Sequence, residues 1–310
     1  MCSQDCVMFI DEYKLLKQCP KCLRPRYFQD KSGRFVPVNV FRSVPIDAQI
    51  RLLFARKETA IALRLTRSVC DRAANDDTKI FDIAESIGFK ELVFDSGFMT
   101  DMRNLIFLLG TDGVNPFART RVSTYSLWPF VFFLANLGRD SRYKVRNVII
   151  GGLASGHVFV DGVKKNRTVK NISVYLDFFV KALLELAKEA KTRVVDVSYP
   201  VGSPRRVFYP CAMLLGTMGD YDAHCHMLCI VPAGSVCCCI KCNIQGVWYA
   251  SVGTRVFAQN RTYLDSQNPQ RRAPIHGVME LRNPPTKRTR DDRSYYSREG
   301  SRHTEKRSCS

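Results

Sequence analysis

Long hydrophobic runs are missing from this sequence. The two best candidates, Leu127–Leu137 and Val207–Met218, fall short of the ~20 residues that span a bilayer, and Pro129 and Pro210 interrupt them. The first residues also lack the basic stretch followed by an apolar stretch that marks a secretory signal. We therefore expect no membrane partner and an intracellular location, where cysteine thiols stay reduced.

Acidic residues are scarce relative to basic ones. The chain of 310 residues has 47 Lys and Arg against 29 Asp and Glu, which gives a net charge of +18. The apolar share of 45% and the charged share of 25% are ordinary for a globular protein, and they exclude wholesale disorder, collagen and a coiled coil. Excess positive charge favours a polyanionic partner, with nucleic acid ahead of an acidic membrane surface. The length suggests one or two domains.

Cysteine, in contrast, is abundant, with 13 residues. Near the N-terminus two close pairs stand a dozen residues apart: Cys2 with Cys6, and Cys19 with Cys22. Each short pair can form a tight turn that presents two thiolates, and two such turns that face each other make a tetrahedral zinc site. We predict a zinc-ribbon-like segment over residues 1–30. The alternative is a set of unrelated surface thiols.

A second group of cysteines precedes residue 243. Cys239 and Cys242 form another C-x-x-C pair, with Cys237 and Cys238 directly before it. The pair is a candidate metal site, and the alternative is a cysteine-rich buried strand, since free cysteine is a common core residue. The upstream residues that could complete the site are His224, Cys225, His226 and Cys229. The three remaining cysteines are predicted to be structural or inert: Cys70, Cys211 and Cys309.

Hydrophobic periodicity predicts strands and helices typical of an α/β fold, and we expect the strands to form a mixed sheet. One amphipathic helix is predicted from Ile46 to Leu65 and a second over residues 172–190. Short apolar runs that end at turn residues predict strands over residues 104–109, 127–137, 145–150 and 207–215, and a loop over 70–80. Gly151 and Gly152 are taken to close the third strand. The second helix carries an apolar stripe made of Ile172, Tyr175, Leu176, Phe179, Leu183, Leu186 and Ala187.

Composition divides the chain into four predicted segments. After the zinc-ribbon-like segment comes a helical linker region over residues 31–100, then the core over 101–265 with its cysteine-rich insertion. Residues 266–310 carry eleven basic residues against five acidic ones and almost no aliphatic residues after Leu281. We predict a disordered basic tail, because such a segment cannot bury enough apolar surface to fold. Its stretch Pro284–Arg293 could serve as a nuclear localisation patch, with a cytoplasmic location as the alternative.

Two aspartates lie shortly after predicted strands. Asp112 precedes Gly113, and Asp220 precedes a turn-like stretch. A lone carboxylate at a strand end is often a cap or a turn residue. As a pair on adjacent strands of one mixed sheet, however, the two could hold divalent metal ions for an in-line phosphoryl displacement. That chemistry normally needs a third carboxylate.

The residues around Asp112 resemble a known family. Residues 111–117 read TDGVNPF and residues 123–129 read STYSLWP. Together they are similar to the "DGxNPF…S-x-YS-x-WP" block of CACTA (En/Spm-type) DNA transposases. The likeness spans residues 1–265 and includes the sequence GDYDA at 219–223, which resembles "DxPA" with Asp222 in place of the proline. Asn136-Leu137 resembles Asn-Leu-Pro, with Gly138 replacing the proline.

The resemblance implies a ribonuclease-H-like core that uses Asp-Asp-Glu and Mg²⁺ to cleave and join DNA strands. Asp112 would be the first acid and Asp220 the second, and Cys239 with Cys242 would form a structural zinc knuckle. The N-terminal Cys19-Pro20-x-Cys22 resembles the zinc ribbon of the family. Glu280 is the one glutamate near the expected third position, but its tail-like, proline-flanked context argues against a catalytic role. The core is therefore expected to be partial and the chain to be truncated.

Three functions remain open from the sequence. The favoured one is a transposable-element-derived protein that binds DNA but is catalytically incomplete. The second is an active Mg²⁺-dependent enzyme that cleaves and transfers DNA strands, with another acid completing the site. The third is a zinc-binding interaction module without a nucleic-acid role. The predicted partner is DNA, the predicted cofactors are structural Zn²⁺ and, if the site is active, Mg²⁺, and self-association is left open.

Overall fold

The computed structural model describes residues 1–64, 82–116, 127–160, 162–167, 169–187, 192–228, 231, 235–237, 239–257, 261–269, 271 and 280–287. By its internal contacts the chain divides into two units, Met1–Met218 and Gly219–Ser310. The predicted loop over 70–80 and most of the predicted tail lie outside the described residues. The division into four segments by composition stays a prediction.

The first unit mixes helices and strands. Its strands are β1 (Tyr27–Gln29), β2 (Phe35–Pro37), β3 (Phe41–Ser43), β4 (Leu105–Thr111), β5 (Trp128–Leu134), β6 (Ile149–Ala154), β7 (His157–Val160), β8 (Val163–Asn166), β9 (Val194–Val195), β10 (Val207–Phe208) and β11 (Ala212–Met218). Its helices are α1 (Ile46–Phe54), α2 (Lys57–Leu63), α3 (Ile87–Phe89), α4 (Arg139–Arg142) and α5 (Ser173–Ala187). A π-helical turn, Lys90–Asp95, continues α3.

A mixed sheet of five strands organises the first unit, in the order β11-β4-β5-β6-β3. β4 is parallel to β11, whereas β4, β5, β6 and β3 pair antiparallel in succession. All but one residue of β4, an interior strand, are buried, as expected for a strand covered on both faces. β11 lies at one edge, and its register against β4 shifts between Leu214 and Gly216. The mixed α/β class predicted from the sequence is confirmed.

Each face of the sheet is covered by helical segments. On one face, Phe130 and Phe132 of β5 pack against Tyr175 and Phe179 of α5, with ring centres 5.1 and 5.3 Å apart. On the other face, alternate residues of β4 join a cluster formed by the short helices between residues 83 and 100. The apolar stripe predicted for α5 is thus a core face, and its residues Ile172, Tyr175, Phe179, Leu183 and Leu186 are buried.

The prediction of one helix from Ile46 to Leu65 is wrong. α1 ends at Phe54 and α2 begins at Lys57, because Arg56 adopts an extended conformation with φ −111° and ψ 113°. The break turns Ile61 to the surface, and Ala60 and Leu63 are buried in its place. Leu65 lies outside the described residues.

Two of the predicted strands are also placed differently. Residues Val145–Asn147 form a 3-10 turn, and β6 begins only at Ile149, so Gly151 and Gly152 lie inside the strand they were expected to close. The strand predicted over 207–215 is two strands, β10 and β11. Pro210 lies between them, and proline has no backbone N–H for a sheet ladder.

Gly151 is required by close packing, and we expect Gly151→Ala to destabilise the protein. A Cβ at this position would lie 2.7 Å from the rings of both Phe132 and Phe179. Overpacking of this kind costs about 1–3 kcal/mol, which urea denaturation would measure. Gly216 in β11 is the matched control, since a Cβ there would meet nothing within 4 Å. A Gly216→Ala variant as unstable as Gly151→Ala would contradict the argument.

Two buried asparagines form hydrogen bonds that link the ends of β4, β5 and β11. Asn136 accepts a hydrogen bond from Ile106 N (2.8 Å) and donates to the carbonyl of Asn104 (2.8 Å). Asn104 in turn accepts from Cys211 N (2.9 Å), immediately before β11. Asn136, which belongs to the family-like Asn-Leu pair, therefore holds the sheet together at the end of β5.

The second unit has few regular elements among its described residues. These are α6 (Tyr221–Met227), β12 (Val247–Tyr249), a 3-10 turn (Ala250–Val252) and β13 (Thr254–Val256). β12 and β13 form an antiparallel hairpin. In the part of the chain that is described, no helix of either unit has the length and apolar character needed to cross a membrane.

Candidate metal centre and strand-end carboxylates

The N-terminal cysteines lie on two tight turns of the first unit. In the first turn, Cys2 N donates to the carbonyl of Val7 (3.0 Å), and Asp5 takes a left-handed conformation with φ 53°. In the second, Cys19 N donates to the carbonyl of Arg24 (2.9 Å), and Leu23 has φ 60°. These turns are the paired knuckles that the spacing of the cysteines predicted.

The two turns bring the four thiols together. The Sγ atoms of Cys2, Cys6, Cys19 and Cys22 all lie within 4.8 Å of one another, and those of Cys2 and Cys22 are 3.4 Å apart. Sulfur ligands about 2.3 Å from a tetrahedral zinc ion are about 3.8 Å from each other, so the cluster has the size of a zinc site. Cys2 and Cys19 are buried, as is usual for structural sites. The four residues could bind one zinc ion.

The thiols differ in how readily they ionise without a metal. Burial raises the pKa of Cys2 and of Cys6 above the usual range for a thiol. Burial alone would also raise the pKa of Cys19, but hydrogen bonds from the backbone N–H groups of Cys22 and Lys21 lower it overall. The cluster thus favours a thiolate at Cys19, whereas a bound zinc ion would deprotonate its coordinating thiols.

The two predicted acids follow the ends of neighbouring strands. β4 and β11 run parallel, with Gly110 paired to Met218 near their carboxyl ends, and Asp112 comes directly after β4. Its exposed carboxylate accepts a hydrogen bond from Gly113 N (2.6 Å). Asp220 is the second residue of the second unit, where it caps α6 by accepting from Ala223 N (2.8 Å). Each aspartate therefore has the local turn or cap role that the sequence left open as the alternative.

A comparison with protein families shows which family this chain belongs to. The sequence model of the family described as "Transposase family tnp2" matches residues 78–295, more than two thirds of the chain. The chain belongs to the transposase family tnp2. The match confirms the resemblance to CACTA (En/Spm-type) transposases. No curated protein and no solved structure matches the chain.

Some of the candidate residues lie inside the range that the family model matches, and others lie outside it. Asp112, Asp220 and the C-x-x-C pair lie inside the matched range, and the four N-terminal cysteines lie before it. The match also extends past residue 265, where the resemblance was expected to end. In the block that carries the resemblance, Asp112–Pro116 are described, while Phe117 and residues 123–126 lie outside the described residues.

The second cysteine group of the tnp2 chain forms a close pair. The Sγ atoms of Cys239 and Cys242 lie 3.4 Å apart, and Cys237 is disulfide-bonded. In the described ranges, no third histidine, cysteine or carboxylate joins this pair in a metal-sized group. Cys229 and Cys238 fall outside those ranges. A metal at Cys239 and Cys242 stays a prediction.

Glu280, the remaining acid considered for the site, has a surface setting. Its carboxylate is half-exposed and lies 3.7 Å from Arg282 Nε.

Sequence reasoning missed the residues that attach the cysteine cluster of the tnp2 chain to its core. Asp5 is fully buried and accepts from Arg167 Nη1 (2.7 Å), the Tyr175 hydroxyl (2.8 Å) and Lys170 N (2.9 Å). Burial, reinforced by the neighbouring Asp5, raises the pKa of Tyr175. Local spacing gives no signal for a contact between residues 162 positions apart. Tyr175 was expected only as part of the apolar stripe.

Proposed function

We propose that this transposase-derived chain binds DNA and that its phosphoryl-transfer site is incomplete. The observation that carries the proposal concerns the acids. Across the residues that the structure describes, the four N-terminal cysteines form the one group of three or more metal-ligating side chains close enough to share an ion. A strand-transferring metal site needs a comparable group of carboxylates.

Membership of a transposase family and the net charge of +18 both support DNA as the partner. Neutralising phosphates releases counterions, so a protein of this charge is expected to bind DNA in a strongly salt-dependent manner. The basic stretch at residues 284–293 supports a nuclear location for such a protein.

The arrangement of the sheet supports a ribonuclease-H-like core. β4 and β11 are parallel neighbours in a mixed sheet, and α5 covers one face. Asp112 and Asp220 are the proposed acids, since each follows the carboxyl end of one of these two strands. A Mg²⁺ ion at such a site would activate a water or a 3′-hydroxyl and stabilise the displaced oxygen. Two aspartates with cap and turn roles provide too few ligands to hold it firmly.

The four N-terminal cysteines are proposed as a structural zinc site and Cys239 with Cys242 as part of a zinc knuckle. Closed sites of four thiolates stabilise folds rather than catalyse reactions, because no coordination position is left for a substrate. The zinc would then present the N-terminal segment in one fixed conformation.

The two halves of the proposal are tested with a supercoiled plasmid. We expect salt-sensitive binding and no nicking in Mg²⁺ beyond that of a no-protein control. Asp112→Ala should then bind as the unaltered chain does, and so should Asp177→Ala, which removes an exposed carboxylate from α5. Mg²⁺-dependent nicking that Asp112→Ala abolishes and Asp177→Ala preserves would mean an active enzyme. A lack of binding at ~50 mM salt would instead favour a zinc-binding module without a nucleic-acid role.

A further inference from the structure

Arginines gather beside the loop that joins β9 to β10 in the first unit. The arginine patch consists of Arg64, Arg103, Arg205 and Arg206. Its members come from three parts of the chain: the end of α2, the segment before β4 and the 3-10 turn Pro204–Arg206. Their convergence is therefore a product of the fold and not of a basic run in the sequence.

Two guanidinium groups of the patch lie against aromatic rings. The guanidinium carbon of Arg64 is 4.5 Å from the centre of the Tyr199 ring, and Arg64 Nη2 donates to Ser198 Oγ (2.5 Å). The corresponding carbon of Arg103 is 4.0 Å from the centre of the Phe208 ring. Stacking occupies the flat face of a guanidinium group and leaves N–H groups at its edge for oxygen acceptors.

Hydrogen bonds to backbone carbonyls hold the patch together. Arg103 Nη1 donates to the carbonyl of Arg205 (2.6 Å), and Arg206 Nη1 donates to the carbonyl of Tyr199 (2.6 Å). Each bond uses one of the five N–H groups of an arginine. Side chains already fixed in place lose little conformational entropy when a ligand binds, which favours affinity.

The patch keeps an excess of positive charge. Asp101 pairs with Arg103, which donates to its carboxylate from both Nη2 (2.6 Å) and Nε (2.9 Å). The neighbouring buried Asp196 accepts from the backbone N–H and the hydroxyl of Ser198 and not from an arginine. The other three arginines of the patch have no carboxylate partner among the residues described. Unneutralised, positioned guanidinium groups are the side chains that most favour phosphate oxygens.

We infer that the arginine patch contacts the phosphodiester backbone of double-stranded DNA. This inference rests on the proposed DNA binding and assigns it a surface. Contacts of this kind position the protein on the duplex without reading its sequence, because the phosphates are the same at every step. The phosphate oxygens of DNA are negatively charged acceptors for the N–H groups that the patch leaves unused.

The test measures binding of the full chain to a mixed-sequence 30-bp duplex between 50 and 200 mM salt. Arg205 is exposed and has no ion-pair partner in the described residues, so Arg205→Gln breaks no ion pair among them. We expect Arg64→Gln/Arg205→Gln to weaken binding about tenfold or more, since hydrogen bonds to charged groups are strong. The slope of log K against log salt should fall by about 0.9 for each phosphate that the variant no longer neutralises. Arg205→Lys should retain most of the affinity.

The matched control removes the same charge from another surface of the first unit. Lys164→Gln/Lys165→Gln alters two exposed lysines of the β7–β8 hairpin. We expect this double variant to change the affinity much less than the patch variant does. Equal decreases in affinity in the two double variants would overturn the inference, because net charge alone would then explain them.

Failure of the inference and failure of the proposed function can be told apart. If the unaltered chain does not bind the duplex, the proposed DNA binding fails and the assignment of the patch fails with it. If the unaltered chain binds and the patch variants keep its affinity and salt slope, only the assignment of the patch is overturned. Arg205→Gln alone keeps the test valid if Arg64→Gln prevents folding.

Discussion

Cys19→Ser is expected to empty the proposed N-terminal zinc site and to unfold the segment that carries it. Cys19 is fully buried and belongs to a cluster whose four sulfur atoms lie within 4.8 Å of one another. Zinc bound only by the folded state contributes its binding free energy to folding, so the decrease in stability should be on the order of several kcal/mol. Zinc content per chain and the thermal unfolding midpoint measure the two effects.

A chelator provides an independent check. It should lower the unfolding midpoint of the unaltered chain by more than that of Cys19→Ser, because the variant has no zinc to lose at this cluster and keeps only the metal proposed at Cys239 and Cys242. Cys211→Ser is the matched control, since Cys211 is a half-buried free thiol outside the cluster. Full zinc content in Cys19→Ser would show that the cluster is not the zinc site.

Arg167→Met is expected to destabilise the first unit strongly. The substitution leaves the buried carboxylate of Asp5 without its ion-pair partner, which lies 2.7 Å away in the unaltered chain. Breaking a buried ion pair from one side costs about 3–5 kcal/mol, because the remaining charge stays desolvated. Tyr175→Phe removes one hydroxyl from the same network and should cost about 1–2 kcal/mol. Urea denaturation followed by circular dichroism would measure both.

The effect of the unpaired charge can be separated from the effect of altered packing. Asp5→Asn/Arg167→Met removes both charges, and asparagine tolerates the left-handed conformation of residue 5. We expect this double variant to be more stable than Arg167→Met alone. Arg34→Met breaks an exposed pair with Asp30 and should leave stability unchanged. An Arg167→Met variant as stable as Arg34→Met would refute the role of the buried pair.

Hydrophobic periodicity predicted the structural features that depend on a continuous apolar face of one helix. The stripe of α5 is local information, since residues three and four apart share one side of a helix. The break at Arg56 has no such signature, because apolar residues continue at helical spacing across it. Glycine is required at position 151 of β6 because aromatic rings of β5 and α5 pack closely against it. The sequence of β6 alone gives no sign of these contacts.

The candidate sites also differ in whether the sequence could predict them. Cysteine spacing predicted the N-terminal cluster because a short pair closes its own turn, and the structure brings all four thiols together. The family-like block singled out Asp112, but its hydrogen bond to Gly113 N shows only the local turn. The arginine patch was not predicted, since its members come from separate segments that meet only through packing.

The attachment of Asp5 to Arg167 and Tyr175 sets an order of events during synthesis. The two ends of the ion pair are 162 residues apart in the chain. At about 5–20 residues per second, a ribosome needs about ten to thirty seconds to make the intervening polypeptide. The cysteine turns are synthesised first, and α5, the helix that contacts them through Tyr175, follows only after that interval. During this interval the contacts of Asp5 with Arg167 and Tyr175 cannot form, so the cysteine turns exist before the core that later holds them in place.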